Sequence, residues 1–264
     1  MVMKQWAKQT GFTIVELLIV VVVIAILAAI SLVAYNGITS RSKESAVKNA
    51  AAQAYKKVEA EKLTTNSYPA SLTAAGVTPM SGSTYDYRTY PYVSCVNVTM
   101  GEAIYHVSSD NPSATYGTCG QVKAEYFNNT SVTGPPVLVR YEDRIDGNWG
   151  TASPGPGVNT DNFSARHTSY IIPPITDTYT FYTYVDDGER VWVNGTLLGD
   201  YFAAGPCCTT RTLPTTIALT AGQPVPVVVE MREGGGGASI RLLWSYTGQT
   251  QVVIPTASFI RVAS

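Results

Sequence analysis

Gly11-Phe12-Thr13-Ile14-Val15-Glu16-Leu17-Leu18-Ile19-Val20 opens a run, Phe12 to Ala34, that is apolar at almost every position. About 20 such residues are what an α-helix needs to cross a bilayer. Lys4 and Lys8 precede the run and no acidic residue does, so the bias of positive charge toward the inner face keeps the first residues cytoplasmic and sends the body of the chain outward. A secretory signal or a plain anchor is the ordinary reading of such a run. Glu16 argues against both, because a carboxylate in the membrane costs about 2.5–3.5 kcal/mol on insertion scales and normally marks function.

Past Ala34 the pattern turns amphipathic. Val47, Ala50, Ala51, Ala54, Tyr55 and Val58 recur at helical spacing, with Arg41, Lys43, Lys48, Lys56 and Lys57 on other faces. One continuous helix over 12–63 is expected, with 12–34 in the membrane; about 50 residues at 1.5 Å each make roughly 75 Å. Asn36-Gly37 is the place where it would kink. Pro69 disfavours helical geometry at Tyr68, so Asn66-Ser67-Tyr68-Pro69 ends the helix.

The stretch 64–120 then alternates in short segments, Tyr85–Tyr92, Ser94–Thr99 and Ala103–Val107, which suits a small antiparallel sheet packed on the helix. Cys95 and Cys119 bracket that sheet, and an exported chain meets an oxidising compartment, so a structural disulfide is expected between them. No ligand cluster surrounds the nearby His106.

From about Gln121 to Ser264 the texture changes to strands separated by Gly and Pro turns. Tyr179, Phe181, Thr183 and Val185 fall on one face of a strand, and Thr180, Tyr182 and Tyr184 on the other. Asp187-Gly188 and Asn194-Gly195 read as hairpin turns. Runs at Ile217–Leu219, Val225–Met231, Ile240–Trp244 and Val252–Ile254 complete a β-sandwich or barrel. The fold class is therefore α+β: a long helix with a small sheet, followed by an all-β domain. Cys207 and Cys208 are left to each other, with intermolecular pairing or two free thiols as the alternatives.

Composition narrows the function classes. The chain has 264 residues, 18 basic and 19 acidic, a net charge of −1, and offers no basic footprint for nucleic acid. Its 17 Tyr, 22 Gly and 15 Pro suit strands, turns and exposed aromatic surface. No Ser/His/Asp set, phosphate-cradling loop or metal-hydrolase motif stands in it, and only His106 and His167 supply imidazole, so catalysis is not expected. The sequons at Asn97, Asn129, Asn162 and Asn194 read as incidental.

Two resemblances sharpen these expectations. The Gly11–Val20 stretch closely resembles the type IV prepilin signature, and Tyr68-Pro69-Ala70-Ser71-Leu72 resembles the loop after the long helix of many pilins and pseudopilins. The likeness implies that 1–11 is a leader, cut after Gly11 by a membrane prepilin peptidase that then N-methylates Phe12. Glu16 would become the fifth mature residue, neutralised by the terminal amine of a neighbouring pilin subunit as the helices bundle. The chain would be a single-pass inner-membrane protein before assembly and an extracellular pilus component afterwards; a secretion-system pseudopilin shares the same signature.

The second resemblance spans 121–264 and is to the anthrax protective antigen N-terminal (PA fourteen) family. It is carried by Ala124-Glu125-Tyr126-Phe127-Asn128, Ile145 to Gly150, Asn162 to Arg166, Thr178 to Phe181, Asp186 to Gly195, and Gly236-Gly237-Ala238 with Arg241 to Trp244. His167 departs from it, standing where the family usually has Trp. Lectin members hold Ca²⁺ on an adjacent Asp pair joined by a cis peptide, and the ion in turn holds sugar hydroxyls. Asp186 and Asp187 match that pair; lectin members add an Asn, Asp or Gln from a later loop, where the corresponding segment here, Glu233 to Gly237, offers only Glu233 and backbone carbonyls. An ordinary turn is the other reading of Asp186-Asp187-Gly188. The loop from Asp200 to Arg211 would face a partner, with Trp192, Tyr201 and Phe202 as rings that stack on a sugar or pack in the rim, and Trp244 in the core. The expected function is a minor pilin that binds glycans on a cell surface, at the pilus tip; the alternative is a structural or assembly-priming pilin whose β domain contacts protein.

Overall fold

A computed structural model describes residues 14–89, 93–203 and 207–261, with the backbone alone at Glu16, Val33 and Ala34. Helix α1 runs from Ile14 to Thr65 without interruption, through Asn36-Gly37, where no break occurs. The chain divides into two compact units, one ending at Ala46 and one starting at Val47. In the first, the large apolar side chains from Leu17 to Leu32 are exposed all round. This stretch is long and apolar enough to cross a membrane. So much contiguous apolar surface is stable only against lipid or other helices.

The second unit starts with the amphipathic half of α1. Val47, Ala51, Ala54, Tyr55 and Val58 pack against Val96, Val98, Tyr105 and Val107. Those residues belong to an antiparallel meander, β1 (Thr84–Thr89), β2 (Ser94–Met100), β3 (Ala103–Ser108) and β4 (Asn111–Tyr116), paired in that order. The Tyr90–Tyr92 end of the expected first strand lies outside the described residues. Strand β4 carries Pro112 at the sheet's edge, the place where a missing N–H breaks no ladder bond. Cys95 and Cys119 are bonded, with Cα atoms 6.0 Å apart, as expected.

The remaining strands build a sandwich. In chain order they are β5 (Val122–Phe127), β6 (Leu138–Glu142), β7 (Asp146–Gly150), β8 (Phe163–Ile171), β9 (Asp177–Asp186), β10 (Gly188–Val193), β11 (Thr196–Asp200), β12 (Thr210–Thr212), β13 (Ile217–Leu219), β14 (Val225–Glu233), β15 (Ala238–Tyr246), β16 (Gln249–Val253) and β17 (Phe259–Ile260). One sheet has the order β11-β10-β14-β8-β5-β6, with β17 also on β8; the other has β12-β9-β15-β16, with β13 on β9 and β7 on β15. The alternation in β9 sends Tyr179, Phe181, Thr183 and Val185 inward. There Tyr179 packs 5.3 Å from Trp244, ring centre to ring centre, and Phe181 meets the same indole edge-on. Truncating such a ring to Ala removes about 3–5 kcal/mol.

The two turn dipeptides behave differently. Asn194 and Gly195, at φ 50° and 75°, close the β10–β11 hairpin as expected. Asp187-Gly188 is not a hairpin turn: β9 and β10 lie in different sheets, and the dipeptide carries the chain across the sandwich. An Asp-Gly pair supplies the sharp change of direction in either case, and pairing with β14 decides which strand β10 joins.

Head and sandwich meet at a buried polar junction. Arg261 pairs with Asp110 at 2.8 Å and lies over the ring of Tyr141, whose edge faces His106. Gly120 runs against the backbone of Glu142, where a Cβ would fall 2.0 Å from main-chain atoms.

Candidate functional site

At one end of the sandwich β9 stops at Asp186 and β14 at Glu233, and the glycine loop from Gly234 to Gly237 leads into β15. The Asp186–Asp187 peptide is cis. Asp187 is fixed at both ends: its N–H donates to the Arg232 carbonyl at 3.0 Å, and its Oδ2 accepts from the Gly234 N–H at 2.8 Å. Gly188 is required by its neighbours, since a Cβ there would sit 2.5 Å from the Phe202 carbonyl oxygen.

These constraints bring Asp186, Asp187 and Glu233 together, with one carboxylate oxygen of each within 4.8 Å of the others. Among the described residues no basic side chain pairs with any of the three. Glu233 is 0% exposed, and neither of its oxygens has a hydrogen-bond partner of ordinary geometry. Loss of water, then the charge of Asp187, push its carboxyl up to about 7; the Asp186 and Asp161 charges add to this, and only the Gly235 N–H opposes it. Asp186 is raised as well, by burial and then by Asp187. Three converging acids without counter-charge form a set of hard oxygen donors, which is what Ca²⁺ takes up.

Asp161 is a member of this corner that pattern reading missed. It comes from the loop before β8, and its Oδ1 accepts from the Gly236 N–H at 3.0 Å. No local motif marks it; only the fold brings it to the glycine loop.

The aromatic candidates are engaged by guanidinium groups. Arg211 lies 3.9 Å over Tyr201 and pairs with Glu189, while Arg190 lies 4.4 Å over Phe202 and 5.5 Å over Trp192 and pairs with Glu230. All three rings are half-buried, and Trp244 is in the core. Cys207 and Cys208 are bonded to each other at the exposed surface beside Asp186. His167, the departure from the family pattern, is buried edge-on to Tyr126, with Nε2 3.4 Å from Glu142. Asn97 is buried, with its side-chain oxygen accepting from the Cys119 N–H, which removes it as a glycan acceptor. Gly11 and Phe12 lie outside the described residues; Glu16 lies on α1.

A cavity of about 430 Å³ opens elsewhere, between head and sandwich, lined by Tyr116, Arg140, Glu142, Arg144, Asp146 and Trp149. Its charges are satisfied within the chain: Arg140 pairs with Glu142, and Arg144 and Arg241 with Asp146.

Residues 119–257 match the PA14 domain, and residues 6–32 match the prokaryotic N-terminal methylation motif. The chain belongs to the PA14 domain family, here joined to a type IV pilin-like N-terminus. It is 33% identical over 141 residues to the anti-sigma-I factor RsgI3 of Acetivibrio thermocellus, a match covering 53% of this chain and 21% of that protein. A solved anti-sigma factor domain-containing protein is also 33% identical, with a TM-score of 0.50 over 53% of this chain and 48% of the other. A third relative, from Clostridium clariflavum, is 29% identical with a TM-score of 0.50, over 64% and 60% of the two chains. The chain thus spans about a fifth of the curated relative's length.

Proposed function

We propose that this chain is a minor type IV pilin that displays its PA14 domain from the pilus, at the tip, and binds glycans there through a calcium ion. The carrying observation is Glu233, buried beside Asp186 and Asp187 with no basic side chain paired to it among the described residues. A carboxylate in that position destabilises the fold unless a cation joins it. Asp186, Asp187 and Glu233 would hold the ion, beside a glycine loop whose Gly235 and Gly236 are exposed to solvent. Bound Ca²⁺ supplies open coordination positions for a pair of sugar hydroxyls. The chain's own part is to hold three charges in place through Arg232, Gly234 and the paired strands β9 and β15.

Binding suits this chain better than catalysis. His106 is buried and pushed down to about 4 by loss of water, and His167 is buried against Glu142, so neither imidazole is offered to a substrate. The pilin half supplies the location: a helix suited first to the membrane and then to a fibre, with other pilins and a prepilin peptidase as partners.

A glycan array probed with the full chain in detergent, in calcium and in chelator, tests this reading. Binding restricted to a few saccharides and abolished by chelator is expected; no binding under either condition overturns it. A structural role is the second reading, favoured by the buried Arg261–Asp110 pair that ties the sandwich to the pilin head. Cells lacking 121–264 separate the two: piliated but non-adherent cells support adhesion, and bald cells support assembly.

A further inference from the structure

The bonded pair Cys207–Cys208 borders the acid cluster without belonging to it. The Cys208 Sγ lies 3.4 Å from Asp186 Oδ2, and the Cys208 N–H donates to the Val185 carbonyl at 3.4 Å, which holds the pair beside the end of β9. One ligand atom from each of Asp186, Cys207 and Cys208 falls within 4.8 Å of the others. Asp186 therefore stands in two sets, one of oxygens with Asp187 and Glu233 and one with two sulfurs. The sulfur pair is exposed, whereas Cys95 and Cys119 are wholly buried. A dissolved reductant reaches the first bond and not the second.

We propose that reduction of the Cys207–Cys208 bond creates a second cation site, selective for a thiophilic divalent ion such as Zn²⁺, with Asp186 and the two thiolates as its protein ligands. An external dithiol supplies two electrons and two protons, closing its own disulfide as the Cys207–Cys208 bond opens to two thiols. The arriving cation displaces both thiol protons to water. At about 2.3 Å from zinc the two sulfurs stand roughly 3.8 Å apart, reached by turning the side chains of adjacent residues, and a water completes four ligands. Thiolates favour such an ion over Ca²⁺, so the two sets differ in the metal they select. Loading the sulfur set draws Asp186 away from Asp187 and Glu233, so zinc under reducing conditions weakens calcium binding; this coupling rests on the proposed calcium site, while the zinc site does not.

The test uses the full chain in detergent, reduced with a phosphine that does not itself hold zinc, with cysteine alkylation read by mass spectrometry. Alkylation confined to Cys207 and Cys208, with one Zn²⁺ bound per reduced chain and none per oxidised chain, is the expected result. The Cys207→Ser/Cys208→Ser variant should bind zinc about 100-fold more weakly, and Asp186→Asn about 10-fold. Failure of the phosphine to open the bond, zinc uptake equal in both redox states, or uptake unchanged in the double variant each overturns the site. Calcium affinity should fall about 10-fold when zinc is bound. Unchanged calcium affinity overturns the coupling alone, and an oxidised chain that never takes calcium overturns the calcium reading, with the zinc result standing on its own.

Discussion

Replacing Glu233 with Gln isolates the charge on which the proposed cation site depends. The folded carboxyl titrates near 7 rather than near 4.5, because it has lost water and faces Asp187. The folded state therefore binds more protons than the unfolded chain between those two values, and the cation-free fold loses stability as pH rises through that window. One pH unit corresponds to about 1.4 kcal/mol, and with local relaxation the loss between pH 5 and 8 comes to about 2 kcal/mol. Burying the Gln amide shifts stability by a constant amount, so the change in the wild-type-minus-variant difference with pH carries the effect. Thermal unfolding of both full-length proteins in chelator should show wild type losing about 4–8 °C relative to Glu233→Gln on going from pH 5 to pH 8. Millimolar Ca²⁺ at pH 8 should restore wild type and leave the variant unmoved. Below pH 7, calcium binding must expel the Glu233 proton, so affinity at pH 5.5 should be about 30-fold weaker than at pH 8. Parallel pH profiles for the two proteins would refute the reasoning.

Three further expectations concern the scaffold. Cys95→Ser/Cys119→Ser opens a link spanning 24 residues and should lower stability by about 3 kcal/mol in denaturant titration. Arg261→Ala removes the buried guanidinium that pairs with Asp110 and should cost about 3–5 kcal/mol by the same measure, while Arg261→Met with Asp110→Leu recovers most of that loss. Glu16→Val should remain in the membrane but drop out of sheared pili on immunoblot.

Much of this architecture was legible because it rests on local periodicity. The apolar run and its amphipathic continuation define α1, alternation defines β9, and Asn194-Gly195 defines a hairpin whose residues take positive φ. Strand β4 was hidden because its first four residues, Asn111-Pro112-Ser113-Ala114, carry none of the β-branched or aromatic residues that mark a strand and only Thr115 and Tyr116 do; it forms by edge pairing with β3. The crossover at Asp187-Gly188 was hidden for a different reason, since the dipeptide dictates a bend and only sheet pairing dictates where the chain goes next. In the site, the family resemblance pointed to Asp186 and Asp187, and Glu233 was the one acid that the later loop offered. Asp161, the guanidinium groups over Tyr201 and Phe202, and the Arg261–Asp110 pair depend on residues far apart in the chain, and no spacing rule reveals them.

Adhesion of living cells tests the central claim most directly, that three carboxylates and a cation make this pilin-borne domain adhesive. Piliated cells carrying the wild-type chain, or Asp187→Asn at equal pilus abundance, would be washed over an immobilised glycan picked out by the array, in calcium and then in chelator. Wild-type cells should hold in calcium and detach in chelator, and Asp187→Asn cells should fail to hold in either. Equal retention of both strains, whether or not calcium is present, would contradict the account.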